Sequence, residues 1–315
     1  TYLRLSVTDR CNLRCRYCLP EKNVHFLPGN EILNWEELHR LTTIFAQLGV
    51  IKLRVTGGEP FLRKGILNFL YEASRLSFSK GIFLTTNGVE TLPFLENLKV
   101  FEIAGINLSL DTLQRDRFKS ITRRDLLPKV METFYQTLFL GIPLKINTVV
   151  KAGLNTDEIE SLARLAEDNP VEVRFIEEMP QLSGNNQKEN GWQFNRILSE
   201  LQSFFPNIIP LPANGSTAGK FKIPGFTGQL GIIAGHSRLF CSTCNRVRVT
   251  ATGLMKTCLY DNGVLDLKQL LRTGAADSEI QNAIREKVSM RMFDGFSAYA
   301  TRGGVMKQSM AAIGG

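Results

Sequence analysis

The sequence predicts an α/β protein built as a partial, open TIM-type barrel of about six βα units, followed by a C-terminal α+β extension. Strand-like and amphipathic helix-like segments alternate through the first two thirds of the chain, which is the pattern of a parallel sheet with covering helices. The repeat stops after about six units, short of the eight that close a TIM barrel. The patterning then changes, which indicates an extension.

Six segments have the length and apolar pattern of strands, at 3–7, 51–56, 82–85, 106–110, 144–150 and 171–176. The stretches between them carry the apolar period of helices, at 35–48, 65–76, 93–98, 126–140 and 157–168. This order of elements predicts that each strand is followed by a crossover helix and that the strands run parallel.

Polar residues alternate with apolar ones along five of these strands. Parallel strands buried on both faces normally show continuous apolar runs, whereas period two places these polar residues on one face of each strand. Five strands are too many to be sheet edges. We therefore expect a hollow barrel with a polar lumen that suits an anionic ligand. The cationic residues of the lining are Arg4, Lys52, Arg54, Lys145 and Arg174.

The pattern changes after residue 180. A polar loop is predicted at 181–191, a helix at 192–204, and a linker rich in Pro, Gly and Asn at 206–228. We therefore divide the chain into a barrel at 1–205, the linker at 206–228 and a C-terminal region at 229–315. Within the last region we predict short strands at 230–233 and 247–250 and helices near 265–271 and 277–287.

Three cysteines, Cys11, Cys15 and Cys18, follow the first strand at C-x₃-C-x₂-C spacing. Three thiolates on one loop can hold three corners of a [4Fe–4S] cluster and leave the fourth iron open to a small molecule. A structural zinc site completed by His25 is the alternative, although zinc sites usually carry four local ligands in C-x₂-C pairs. The spacing favours the iron–sulfur cluster.

A second group, Cys241, Cys244 and Cys258, has C-x₂-C…C spacing. Zinc is a stronger alternative here, with His236 as the fourth ligand. Arg246 and Arg248 lie between the cysteines and share one face of a predicted strand. An open iron that binds a substrate, with arginines for its phosphates, accounts for the cysteines and the arginines together.

Polar turns follow the predicted second, third and fourth strands. In Gly57-Gly58-Glu59-Pro60, the glycines allow the backbone to approach a ligand closely, and we expect Glu59 to accept a hydrogen bond from an ammonium group. Thr85–Gly88 and Ser109–Asp111 end the next two strands. Active sites of barrels lie at the carboxyl ends of strands, so these turns outline one rim of a site.

Composition limits the function classes. The 315 residues are 43% hydrophobic and carry a net charge of +8, without a long Lys/Arg block, which favours a nucleotide or phosphate ligand over a polynucleotide. We expect no membrane helix and no signal peptide. Clustered cysteines predict a reducing compartment, so we expect a cytoplasmic location, or an organelle if a targeting segment has been removed. We also expect a short segment to precede Thr1, since Thr1 already begins a strand.

The chain resembles the radical S-adenosylmethionine superfamily and, within it, the molybdenum cofactor biosynthesis protein A family, the GTP 3′,8-cyclases. The first cysteine motif and GGEP mark the superfamily, whereas the second cysteine motif with Asn-Arg-Val-Arg and the terminal Gly-Gly mark the family. The matching stretches are YLRLSVTDRCNLRCRYCLP, RVTGGEPFLR, TTNG, SLD, RFIEEMP, CSTCNRVRVTATGLMKTCL and the final IGG.

This resemblance implies two [4Fe–4S] clusters, one on each cysteine group. The open iron of the first would chelate S-adenosylmethionine, and that of the second would meet the guanine of GTP. The positions that match cofactor contacts are Tyr17, Gly58, Ser109 and Met179. Those that match GTP contacts are Arg4, Arg54, Thr85, Lys145, Arg246 and Arg248, with Lys52 and Arg174 lining the same site. Gly314 and Gly315 match a tail that reaches into the active site.

The implied reaction is the first step of molybdenum cofactor (molybdopterin) biosynthesis. The reduced first cluster gives an electron to S-adenosylmethionine, and the resulting 5′-deoxyadenosyl radical takes hydrogen from C3′ of GTP. C3′ then attacks C8 of guanine, and a further reduction completes the product. The implied partners are GTP, a reductase or flavodoxin-type electron donor, the cyclic pyranopterin monophosphate synthase that acts next, and a second copy of the chain, with no membrane or nucleic acid.

Two alternatives stay open. One is another radical S-adenosylmethionine enzyme with an auxiliary cluster, for example one that modifies a peptide; the cationic lumen and the Arg246/Arg248 pair favour a triphosphate instead. The other is a zinc-stabilised, basic RNA-binding protein. Such a protein needs exposed aromatic side chains beside a basic patch, and it does not need two incomplete thiolate sites.

Overall fold

A computed structural model gives the structure of this chain. It describes residues 1–19, 25–178, 191–212, 217–235, 237 and 244–300.

One twelve-stranded sheet is the framework of these described residues. Its strands are β1 Tyr2–Ser6, β2 Lys52–Thr56, β3 Ile82–Thr86, β4 Gly105–Ser109, β5 Leu144–Val150, β6 Val171–Glu177, β7 Ile209–Leu211, β8 Ala218–Lys222, β9 Gln229–Ile233, β10 Arg246–Val249, β11 Leu254–Lys256 and β12 Leu265–Asp266. The six strands predicted for the barrel are the observed β1 to β6, each within one residue at either end.

The sheet is open. The strand order is β12-β11-β10-β1-β2-β3-β4-β5-β6-β9-β8-β7, without a pairing that joins the two edges. β1 to β6 run parallel, and β10 and β9 extend this parallel region on its two sides. Antiparallel strands then follow at each edge. The prediction of a partial TIM-type barrel is therefore confirmed, and the C-terminal part of the chain adds strands on both sides of it.

The helices are α1 Trp35–Gln47, α2 Ile66–Ser74, α3 Leu95–Val100, α4 Arg115–Thr122, α5 Leu127–Phe139, α6 Ile159–Arg164, α7 Phe194–Phe204, α8 Leu267–Arg272, α9 Asp277–Ser289 and α10 Gly295–Ala300. Helices α1 to α6 connect the parallel strands β1 to β6, α7 follows β6, and α8 to α10 follow β12. α1 begins with a capping box, in which the Glu37 backbone N–H donates to Asn34 Oδ1 at 2.7 Å and the Asn34 N–H donates to Glu37 Oε2 at 2.8 Å. No helix in the described parts of the chain is both long and apolar enough to cross a membrane.

The alternation along the strands separates two environments. Leu3 and Leu5 of β1 and Leu53 and Val55 of β2 are fully buried in the hydrophobic core under the helices. The polar residues between them face the inside of the open barrel, where they line a cavity. Because parallel neighbours share this alternation, the same face of the sheet is polar from strand to strand.

One expectation needs correction. The segment 206–228 is not a free linker, because it contains β7 and β8, and β8 pairs with β9 in the sheet. Of the loop predicted at 181–191, only residue 191 is described.

Candidate active site

The barrel encloses a cavity of about 510 Å³, within the usual range for small-molecule sites. It is lined by side chains from the carboxyl ends of β1 to β4 and from the polar faces of β1, β2, β5, β6 and β10. The loops beside β10 and β11 complete the lining. The predicted site residues that line this one cavity are Arg4, Cys11, Cys15, Tyr17, Cys18, Lys52, Arg54, Gly58, Thr85, Ser109, Lys145, Arg174, Cys244, Arg246, Arg248 and Cys258.

Four predicted site residues, Met179, Cys241, Gly314 and Gly315, lie outside the described residues, as does His236, the alternative zinc ligand. His25, the other alternative ligand, is exposed and does not line the cavity. The described part of the chain contains no group of three His, Cys, Asp or Glu side chains that could hold one metal ion. The residues Cys11, Cys15 and Cys18 all line the cavity.

The loop that carries the first cysteine group is held by the Gly57–Glu59 turn. The Gly58 N–H donates to the Thr8 carbonyl at 2.8 Å, and the Glu59 N–H donates to the Arg10 carbonyl at 2.7 Å. An added Cβ on Gly58 would lie 2.3 Å from the Arg10 oxygen. Gly58 is therefore required for the close contact between these two loops.

Burial determines the protonation of the first cysteine group. It raises the pKa of Cys11 and raises that of Cys15 well above the ordinary range. Asn87 Nδ2 donates to Cys11 Sγ at 3.6 Å and so favours the Cys11 thiolate weakly. Thiols in such surroundings stay neutral until a positive centre binds them, and iron is such a centre.

Glu59 does not line the cavity, contrary to its predicted role as a ligand for an ammonium group. Its side chain is 0% exposed. Its carboxylate accepts hydrogen bonds from the Asn87 N–H at 2.7 Å, from Thr86 Oγ1 at 2.8 Å and from the Phe61 N–H at 3.2 Å. Burial raises its pKa to about 7. Glu59 therefore positions the turn that follows β3, and through Asn87 it supports Cys11.

Tyr17 and Asp111 join the cysteine loop to the end of β4. The Tyr17 hydroxyl donates to Asp111 Oδ2 at 2.5 Å, and Asp111 Oδ1 accepts from the Val149 N–H at 2.9 Å. Ser109 precedes this pair on the cavity-facing side of β4. The rim predicted at the carboxyl ends of β3 and β4 therefore lies against the first cysteine group.

Like charges oppose one another across three neighbouring strands. Arg4 of β1 is in register with Arg248 of β10 on one side and with Arg54 of β2 on the other. Burial, then mainly the charge of Arg248, lowers the pKa of Arg4 well below its ordinary range. Burial and then Arg54 lower the pKa of Lys52 to about 8. The floor of the cavity is thus a buried cationic surface suited to an anion.

Tyr2 lies at the centre of this cationic floor and was not found from the sequence. It is 9% exposed, and its hydroxyl accepts a short hydrogen bond from Arg54 Nε. Lys52 Nζ and the Arg246 guanidinium lie 5.1 and 5.4 Å from its ring centre. Burial alone would raise its pKa, but Arg54, Arg4, Arg246 and Lys52 lower it to about 7.

The two described cysteines of the second group, Cys244 and Cys258, lie at the other end of the strands. Cys244 precedes β10, and Cys258 follows β11, which runs antiparallel to β10. Because β10 is parallel to β1, both cysteines lie near the amino end of β1, whereas Cys11 to Cys18 follow its carboxyl end. A five-residue strand spans roughly 17 Å. The cavity therefore has cysteines of one group at each end and the cationic floor between them.

Positive charge favours the thiolate in the second group. Burial alone would raise the pKa of Cys244, but the Arg246 N–H and the charges of Arg246 and Arg291 lower it. The Tyr260 N–H donates to Cys258 Sγ at 3.4 Å. The surroundings of Cys244 thus favour ionisation, in contrast to those of Cys11 and Cys15.

Two asparagines also face the cavity. Asn107 of β4 and Asn147 of β5 line it, and their Oδ1 atoms are buried without a hydrogen-bond partner among the described residues. The strand alternation places both on the lumen face, but sequence reasoning selected only cations there. Buried polar atoms without partners are uncommon, so these amides are further candidates for ligand contact.

The chain matches two family models. The radical SAM superfamily model matches residues 5–166, and the model described as molybdenum cofactor synthesis C matches residues 171–295.

Similar proteins carry consistent names. The GTP 3′,8-cyclase of Alkaliphilus metalliredigens is 38% identical over 320 residues, which cover 100% of this chain and 97% of that protein. Molybdenum cofactor biosynthesis protein 1 of Bos taurus is 40% identical over 299 residues, covering 92% of this chain but 46% of that protein. The chain therefore spans about half the length of this mammalian relative.

Among solved structures, Streptococcus suis SuiB bound to S-adenosylmethionine has a TM-score of 0.59 at 14% identity, covering 89% of this chain and 67% of that chain. At this identity the likeness concerns the fold alone.

Gly58→Ala should destabilise the protein. The new Cβ would clash with the Arg10 carbonyl, so we expect the free energy of unfolding to fall by about 1–3 kcal/mol in urea denaturation. Gly29→Ala is the matched control, because a Cβ there meets no atom within 4 Å. Equal stabilities of the two variants would contradict the close contact between the loops.

Tyr2→Phe should change how stability depends on pH. Because the pKa of Tyr2 falls from 10.0 to about 7 on folding, the unfolded chain binds more protons at Tyr2 between these values. Wild-type stability should therefore rise relative to Tyr2→Phe as pH increases from about 7 to 10, by at most about 1.4 kcal/mol per pH unit. A constant difference in urea denaturation across this range would show that Tyr2 does not ionise in the folded protein.

Proposed function

Because the chain belongs to the GTP 3′,8-cyclase family of the radical S-adenosylmethionine superfamily, we propose that it converts GTP to a 3′,8-cyclised GTP in the first step of molybdenum cofactor biosynthesis. One observation carries the proposal. A single cavity has a cysteine group at each end and a buried cationic floor between them. A nucleotide triphosphate can contact such a floor while its base and ribose face the two ends.

Under this proposal, Cys11, Cys15 and Cys18 hold a [4Fe–4S] cluster, and Cys241, Cys244 and Cys258 hold a second one. Their donor chemistry fits, because thiolates are the ligands of such clusters. Tyr17, Gly58, Ser109 and Met179 contact S-adenosylmethionine. When bound, the reduced first cluster and S-adenosylmethionine supply abstraction of a hydrogen atom from the substrate.

The chain's own residues bind and orient GTP. Guanidinium groups form paired hydrogen bonds with phosphate oxygens, and a buried setting strengthens them. The proposed GTP contacts are Arg4, Lys52, Arg54, Thr85, Lys145, Arg174, Arg246 and Arg248. Arg54 is already oriented, because its NH1 donates to the Leu84 carbonyl and to Thr85 Oγ1, each at 3.2 Å. Holding the ribose in one orientation restricts abstraction of the hydrogen atom to one ribose carbon.

Other residues shape the chamber without contacting the substrate. Glu59 holds the turn beside Cys11, and Gly58 allows the cysteine loop to approach β2 closely. We propose that the terminal Gly314 and Gly315 enter the active site, where small residues leave room for the substrate and exclude water.

The proposal extends to partners and location. A reductase or flavodoxin-type protein supplies electrons, and the cyclic pyranopterin monophosphate synthase consumes the product. A cytoplasmic location suits the clusters, because reducing compartments keep thiolates available for metal. We also propose that the chain forms a homodimer. A peptide substrate suits the chamber less well, because in-register buried cations favour a polyanion.

Anaerobic turnover tests the proposal. Protein with reconstituted clusters, incubated with GTP, S-adenosylmethionine and a strong reductant, should form 5′-deoxyadenosine and a new compound with the mass of GTP. The mass is unchanged because the hydrogen lost from the ribose is replaced by one electron and one proton. Liquid chromatography with mass detection measures both products.

Cys11→Ser is the control for this experiment and should form neither product. If the wild-type protein forms 5′-deoxyadenosine but leaves GTP unchanged, the substrate is another molecule. If it forms no 5′-deoxyadenosine, the proposed chemistry is wrong.

A further inference from the structure

A buried carboxylate lies among the cations at one side of the chamber. Glu172 of β6 is 3% exposed. Its Oε2 accepts from Lys145 Nζ at 2.7 Å and lies 3.7 Å from Lys220 Nζ, and its Oε1 accepts a short hydrogen bond from Arg174 Nε. Gln229 Nε2 also donates to Oε2, at 3.3 Å. One acidic group thus gathers three cations from β5, β6 and β8.

The cations lie in front of the carboxylate. Lys145, Arg174 and Lys220 all line the cavity, whereas Glu172 does not. The positive members of this ion-pair cluster therefore face the cavity, and its negative member lies behind them. The arrangement leaves three cationic groups accessible to a ligand.

Gly231 of β9 lies between two of these cations. It is in register with Arg174 on one side and with Lys220 on the other. An added Cβ on Gly231 would lie 3.3 Å from Arg174 Cγ and 3.6 Å from Glu172 Oε1. A side chain at this position would therefore press on Arg174, and glycine leaves that space open.

We propose that Lys145, Arg174 and Lys220 form one subsite for the phosphates of the nucleotide beyond the first, and that Glu172 is the positioning residue that holds all three. The identity of the ligand as a nucleotide rests on the proposed function. Lys220 is the new member of the binding site. The sequence does not indicate it, because it lies in the segment predicted to be a linker.

Charge balance supports this subsite. Burial alone would raise the pKa of Glu172, but Arg174 and Lys145 lower it to about 2, so Glu172 stays ionised at neutral pH. Three cations and one carboxylate leave a net charge of +2. A terminal phosphate group carries a charge of about −2 near neutral pH. The subsite and such a phosphate are therefore matched in charge.

Nucleotides of different phosphate number test the subsite. We would measure the affinity of the cluster-containing protein for GTP, GDP and GMP by anaerobic calorimetry, in wild type and in Lys220→Met. Removal of one charged hydrogen bond should weaken GTP binding about 10- to 100-fold and leave GMP binding unchanged. Equal loss for all three nucleotides, or no loss for any, would overturn the assignment.

Lys222→Met is the matched control. Lys222 lies two residues further along β8, outside the cavity lining, and its Nζ donates to the carbonyls of Phe226, Thr227 and Gly228. This variant should bind GTP as the wild type does, even if it unfolds at a lower temperature. The pair of variants separates loss of a ligand contact from loss of stability.

Glu172→Gln tests the positioning role. Without the carboxylate charge the three cations lose their common partner and repel one another, so the empty protein should melt at a lower temperature, and GTP should raise that temperature less than it does in wild type. A lower melting temperature with an unchanged GTP shift would show a structural role alone and would overturn the positioning role. If Glu172→Gln does not fold, the affinities of Lys220→Met for GTP, GDP and GMP test the subsite.

The outcomes also separate this inference from the proposed function. A wild-type protein that binds none of the three nucleotides contradicts the proposed function itself. A wild-type protein that prefers GTP to GMP, with the same preference in Lys220→Met, contradicts only the subsite.

Discussion

The register between β10, β1 and β2 is the constraint on which the site depends. It places Arg248, Arg4 and Arg54 directly beside one another on buried neighbouring strands. Like charges in this arrangement oppose folding, and a one-residue slip of any one of these strands would turn its arginine into the apolar core. Burial of Leu3, Leu5 and their neighbours on the other face offsets that cost. Under the proposed function, an anionic ligand relieves the remaining repulsion, so the repulsion within the empty floor and its affinity for phosphate have one origin.

Strand direction explains why one chamber has two chemically distinct ends. The first cysteine loop follows β1, whereas Cys244 and Cys258 lie beside the start of β1. The reason is that β10, which comes from the C-terminal part of the chain, pairs parallel with β1. The first end is enclosed by turns that Gly58 and Glu59 hold in place. At the second end, Arg246 and Arg291 favour the thiolate of Cys244. Under the proposed function, the fold therefore separates the site for the cofactor from the site for the substrate base.

Much of this arrangement could be predicted from the sequence, because period two along β1 to β6 shows both the strands and their polar face. The sequence does not predict those features of the site that depend on pairing between strands distant in the chain. β8 lies in a segment rich in Pro and Gly, so the sequence does not indicate Lys220, and Tyr2 lies one residue before the predicted first strand. The position of Glu59 after two glycines is typical of a residue that contacts a ligand. Only the fold shows that its carboxylate instead accepts hydrogen bonds from backbone N–H groups.

Under the proposed function, the two cysteine groups serve different ligands at opposite ends of one chamber. Electron paramagnetic resonance can test it in two reconstituted variants, one with Cys11, Cys15 and Cys18 changed to alanine and one with Cys241, Cys244 and Cys258 changed. S-adenosylmethionine should alter only the signal of the cluster retained at Cys11–Cys18, and GTP only that of the cluster retained at Cys241–Cys258. If both ligands alter the same cluster, or if either variant binds no cluster at its intact group, the two-ended chamber is contradicted.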